Sequence, residues 1–139
     1  MSDSFRLDFD DSAITRTLDS LSDAAEQDLI RPAAQAAAQV FYEQVKRNVA
    51  GLGRVTGKLS DSIYQAYRDK ESGHGKAVYH VSWNFTKAPH GHLVEYGHGG
   101  KRPAQAHPFL RPAYDQVKDA ATNAAVLRLE SDIAQAMLK

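Results

Sequence analysis

From Asp23 to Ala50 the chain has the pattern of one long helix. Leu29, Ala33, Ala37, Val40, Phe41, Gln44 and Val45 fall on or near one face at helical spacing. Alanine recurs through the run; it has the highest helix propensity, and its small side chain lets a neighbour approach closely. Pro32 lies inside the run, so it either opens a new helix or kinks a continuous one. The segment GLGRVTG, Gly51 to Gly57, closes the helix, because glycine is the expected stop just past a helix end. It is no Walker phosphate loop: it follows a helix and lacks the GKS/T ending at the required spacing.

The remaining elements have two different periods. In Ser4 to Asp10, Phe5, Leu7 and Phe9 alternate with Arg6 and Asp8, as in a short edge strand. Asp11 or Ser12 then caps a helix carrying Ile14, Leu18 and Leu21. Leu59 to Arg68 reads as a strand, or a short helix leading into one, and Asp69 to Lys76 as a polar turn. Ala77 to Phe85 alternates well, with Ala77, Tyr79, Val81, Trp83 and Phe85 on one face and Val78, His80, Ser82 and Asn84 on the other. The two strands pair as a hairpin. Thr86 to Pro108 is a long Gly-, Pro- and His-rich connection with one helical turn at His92 to Tyr96, and such connections usually carry function. Pro112 suits the first turn of a last helix, Arg111 to Met137. That helix shows two stripes, one through Val117, Ala121, Ala124, Leu127 or Arg128, Ser131, Ala134 and Leu138 and one through Val126, Leu129, Ile133 and Met137, which suggests burial on two sides, with the core on one and a neighbouring subunit on the other. The expectation is a single α+β domain, residues 1–139: a small, mostly antiparallel sheet packed against a long N-terminal helix and a C-terminal helix.

Lys plus Arg and Asp plus Glu number 17 each, so the formal net charge is zero. This disfavours a globally basic nucleic-acid binder and leaves little charge to hold copies apart. The absence of cysteine excludes thiol nucleophiles and cysteine zinc sites. Met1 to Asp11 lacks the basic start and apolar run of a secretory signal. Ala33 to Val40 is too short to span a bilayer, so a soluble protein without membrane contact is expected.

Catalytic chemistry finds little support. His90, His92, Glu95, His98 and His107 raise a metal site, yet HEXXH is absent and no pair sits at helical i, i+4 spacing. They read as hydrogen-bonding loop residues, with no cofactor or metal expected. Ser60, Ser62 and Ser82 lack a nucleophile-elbow context, and nothing marks Asp61 and Asp69 for acid–base work. Lys46, Arg47, Arg54 and Lys58 cluster around the first glycine loop, and Lys101, Arg102 and Arg111 around the second. With Tyr64, Tyr67 and Trp83 available to stack on bases, they keep a DNA-contacting reading open. The same residues also suit a helix C-terminus or a protein interface.

Three blocks follow in a telling order: TGKLSDSI (Thr56 to Ile63), the strand Ala77 to Phe85, and HLVEYGHGG (His92 to Gly100) followed by AHPFLRPAYD (Ala106 to Asp115). In this order the chain resembles the HK-97 gene-product-ten family of tailed-bacteriophage proteins, small head–tail joining or tail-completion components. It departs from the family at His98, where threonine is frequent, and in the following Gly99, Gly100, Lys101 and Arg102. The resemblance implies a structural virion protein, not an enzyme and without cofactor, assembled in the host cytoplasm and placed at the phage neck. It implies a homo-oligomeric ring, sixfold to match a tail tube. The ring would contact the tail tube or its terminator and the head-side connector, and border the DNA channel. The other classes are a DNA-contacting channel protein using the basic patch and a metal-dependent enzyme using the histidines.

Physical roles for these residues follow independently. Gly97 permits a turn that a β-carbon would resist. Glu95 accepts backbone or arginine hydrogen bonds, with Arg111 the candidate partner. Pro108 biases His107 towards extended backbone. Leu93, Tyr96, Phe109 and Leu110 are the expected apolar anchors of the loop. The expected partner contacts are then the tip, Gly97, His98, Gly99, Gly100, Lys101, Arg102 and Pro103, together with Phe5, Leu7 and Phe9. A ring needs two such different patches on each copy.

Overall fold

The computed structural model describes residues 5–9, 23–52, 57–73 and 75–138, with side chains from residue 27 onward. The expected helix through Ile14, Leu18 and Leu21 lies outside the described residues, as do the side chains of Phe5, Leu7 and Phe9 and the whole of Arg54.

Strand β1 (Phe5–Phe9) precedes helix α1 (Asp23–Ala50), which continues through Pro32 without a break. Proline removes one donor, leaving the Asp28 carbonyl without its i+4 partner. Asp28 is exposed, so water can replace that bond. Next come α2 (Gly57–Ser62), β2 (Ile63–Tyr67), a 3₁₀ turn (Asp69–Glu71), β3 (Ala77–Trp83), α3 (Gly91–Tyr96) and α4 (Arg111–Met137). Of the two readings of Leu59 to Arg68 the second holds: a short helix runs directly into a strand.

The sheet is antiparallel, in the order β1-β3-β2, with Phe5 opposite Val81 and Ile63 opposite Trp83. The fold is α+β. One face of the sheet packs on α1, and α4 packs along the far side of α1. As the middle layer, α1 buries alanine in adjacent pairs: Ala33, Ala34, Ala37 and Ala38 are all at most 1% exposed. A stripe of i, i+4 positions serves one neighbour, whereas adjacent buried positions serve two.

Two expected details differ. Helix α4 shows one buried stripe, through Ala113, Ala121, Ala125 and Leu129 with Val117 and Ile133 beside it. Leu127, Met137 and Leu138 are exposed, because α4 packs mainly on a single partner and one face suffices. Strand β3 ends at Trp83 rather than Phe85. Its second face is not open either, with Val78 and Ser82 both buried.

Candidate functional site

The connection between β3 and α4 is organised around one carboxylate. Helix α4 starts with no capping side chain of its own; its N-cap is Leu110, and Pro112 follows within the first turn. The backbone N–H groups of a first turn need acceptors. Glu95, on α3 and fully buried, supplies them. Its Oε2 accepts from Phe109 N–H at 2.8 Å and Leu110 N–H at 3.0 Å, and its Oε1 from Arg111 N–H at 2.9 Å. Pro112 has no N–H, and Ala113 N–H reaches the Leu110 carbonyl at 3.2 Å. Every donor of the first turn therefore has an acceptor, and the negative charge sits at the positive end of the helix dipole.

Arg111 completes the clamp. Its Nε donates to Glu95 Oε1 at 3.0 Å, and its Nη2 to the Glu95 carbonyl at 2.7 Å. Its guanidinium lies 4.5 Å from the centre of the Tyr96 ring. A buried carboxylate without partners would be very costly; here four donors and a cation surround it. Asn48, near the end of α1, donates to the Phe109 carbonyl at 2.9 Å and to Gln116 Oε1 at 2.9 Å, tying the start of α4 to the core.

Two glycines allow this geometry. Gly91 opens α3 against the face of Trp83, and a β-carbon there would come within 2.6 Å of the indole Cδ1. Trp83 also meets the ring of Phe109 edge-on at 5.4 Å. Gly97 ends α3 at φ +74°, and a β-carbon would lie 2.8 Å from the Ala104 carbonyl oxygen. Beyond it the chain leaves the body and returns. His98 and Ala104 exchange backbone bonds of 3.0 and 2.9 Å, and His107 N–H donates to the Val94 carbonyl at 2.8 Å. Residues 98–108 form an arm whose members are all exposed.

The expected anchors therefore divide. Phe109 and Leu110 are buried, but Leu93 is 38% and Tyr96 45% exposed. The reason is helical phase: with Gly91 and Glu95 turned inward at i and i+4, Leu93 and Tyr96 fall on the outer side. Tyr96 contributes as the ring beneath Arg111 and not by burial. The expected tip residues His98, Gly99, Gly100, Lys101, Arg102 and Pro103 lie together on the arm, with Gly97 at its root. Sequence reasoning missed Gly91, Asn48 and the Val94 carbonyl. Only Gly91 left a signal, as a glycine opening a helical turn.

The described members of the first basic cluster differ in their bonding. Lys46 donates to the Ser60 carbonyl at 2.7 Å and bridges α1 to α2. Arg47 is exposed and bonded to Gln44, and Lys58 is exposed. Among the described residues no group of three or more His, Asp or Glu is placed to hold a metal. Among them, too, no helix is long and apolar enough to cross a membrane.

The structure is thus a small α+β body that holds the root of an exposed arm, residues 98–108. A family model described as "Bacteriophage HK97-gp10, putative tail-component" matches residues 12–97. This is more than half of the chain, which belongs to that family of phage tail components. The match ends at Gly97, where the arm begins. No curated protein and no solved structure gives a match.

Proposed function

We propose that the protein is a structural component of the virion that forms a ring at the head–tail junction and joins the tail tube to the portal-side connector. Family membership supports a tail component. The observation that carries the finer reading is the arm: residues 98–108 are exposed throughout, while their root is held by the Glu95 clamp. An exposed arm on a rigid root suits contact with a neighbouring copy or an adjoining ring. Segment Ser4 to Asp10 is the second contact, and both work by binding, without catalysis. The chain as a whole, residues 1–139, acts as one assembly domain.

The protein would be made in the host cytoplasm and end in the neck of the particle. Where the ring borders the channel, the basic patch of Lys46, Arg47, Arg54 and Lys58 would meet DNA, and Arg47 and Lys58 are exposed; steep salt dependence of DNA binding tests that contact. Native mass spectrometry of the purified protein, alone and with tails or heads, tests the ring. A closed oligomer, with sixfold stoichiometry the expectation, supports it, and a strict monomer even with partners present overturns it. Copurification with headless tails or with tailless heads separates a tail-completion role from a head-side one.

A further inference from the structure

The register of the sheet gives every backbone group of β2 a direction. Asn84 N–H donates to the Ser62 carbonyl at 2.9 Å, and Arg68 N–H to the Val78 carbonyl at 2.9 Å. These two bonds bracket the β2–β3 ladder. Bonded and non-bonded pairs alternate in an antiparallel pair. Tyr64 and Ala66 therefore bond towards Ser82 and His80, and the N–H and C=O of Ile63, Gln65 and Tyr67 point away from β3. Helix α2 ends at Ser62, so its last i, i+4 bond takes the Ile63 N–H to the Leu59 carbonyl, and the outward N–H groups left to the edge are those of Gln65 and Tyr67. The same count across β3 leaves Arg6 and Asp8 with outward groups on the opposite edge, along β1.

Exposed edges are usually protected by charge, proline or a bulge. The β2 sequence IYQAY carries no charge and no proline, and its register with β3 is unbroken. Such an edge is a template for another strand. We infer that the outer edge of β2 receives β1 of a second copy. The same chain supplies a donor: β1 is the other open edge of the sheet, and both strands are five residues long. Both run antiparallel to β3, so they share one direction. A rotation about an axis along the strands brings β1 of one copy beside β2 of the next as a parallel pair. The contact joins two different patches, as ring closure requires. This inference rests on the ring reading and names one of its contacts.

Amide exchange resolved to single residues, in the free subunit and in the ring, tests it. The amides of Gln65 and Tyr67 exchange fast in the free subunit and become protected in the ring, while Tyr64 and Ala66 are protected in both. A paired substitution gives a second readout. Gln65→Pro removes one outward N–H without touching the β3 ladder; Gln65→Ala loses the same side-chain bonds to Gln35 and Gln39 but keeps that N–H. The expected result is loss of the ring with Gln65→Pro and its retention with Gln65→Ala, both folded by circular dichroism. Rings whose Gln65 and Tyr67 amides still exchange fast overturn the edge contact and leave the ring standing. So do rings formed equally by folded Gln65→Pro, or protection of those amides already in the free subunit. Absence of any ring overturns both readings. Should Gln65→Pro not fold, the exchange comparison decides alone.

Discussion

The root and the tip of the arm are one continuous loop built by opposite rules. At the root, nearly every polar group has a named partner: the Glu95 carboxylate takes four bonds, and the backbone of 107–111 is tied to α3. At the tip, apart from the His98–Ala104 pair, Gly99 to Pro103 are exposed and Lys101 and Arg102 reach into solvent. Internal bonding is concentrated in the first region, and the proposed contact lies in the second. Substitutions should therefore separate the two properties along about ten residues of chain.

The largest effect is expected at Glu95. Glu95→Ala strips the acceptor from the first turn of α4 and leaves three backbone donors without partners, those of Phe109 and Leu110 buried. The expected loss is about 3–5 kcal/mol in a urea titration followed by far-UV circular dichroism. Next is Gly91→Ala, which presses a methyl group into the Trp83 indole. About 1–3 kcal/mol of stability should go, with altered emission from Trp83, the only tryptophan. Arg111→Ala should cost less, about 1 kcal/mol, because its side chain is half exposed and water can replace part of what it gives. The ranking is the point. If Arg111→Ala cost as much as Glu95→Ala, the root would be an ion pair first and a helix cap second, contrary to the count of bonds.

Much of the frame was legible from period alone. The bounds Asp23 to Ala50 and Arg111 to Met137 follow from helical spacing and from the glycine and proline that punctuate it. Burial phase was less legible. Two stripes on α4 were both plausible because alanine and leucine occur on several faces; only the position of α1 selects the one through Ala113, Ala121 and Leu129. Leu93 and Tyr96 read as anchors because large apolar side chains usually go inside. What decided otherwise was the packing of Gly91 against Trp83, eight residues earlier, which turns that side of α3 inward. Glu95 and Arg111 could be paired on charge, but the three backbone donors of α4 could not be foreseen, since they depend on the chain folding back across residues 98–108. The sheet order, with β3 between the two edges, is likewise a tertiary fact, and with it the open edge of β2.

The smallest effect on stability is expected at the tip, and there the comparison is sharpest. Lys101→Ala combined with Arg102→Ala removes two exposed cations from an arm whose root is untouched. Unfolding free energy should stay within about 0.5 kcal/mol of the parent, as for surface changes away from caps, cores and networks. Attachment to the neighbouring copy or to the adjoining ring should weaken, read as a shift to smaller species in native mass spectrometry at fixed concentration. A matched pair on another exposed surface, Lys87→Ala with Lys118→Ala, removes the same charge and should leave assembly unchanged. If both pairs weaken assembly equally, general charge and not the arm governs association. If neither does, the tip is not a contact, and the well-satisfied root has served only to fold the chain between β3 and α4.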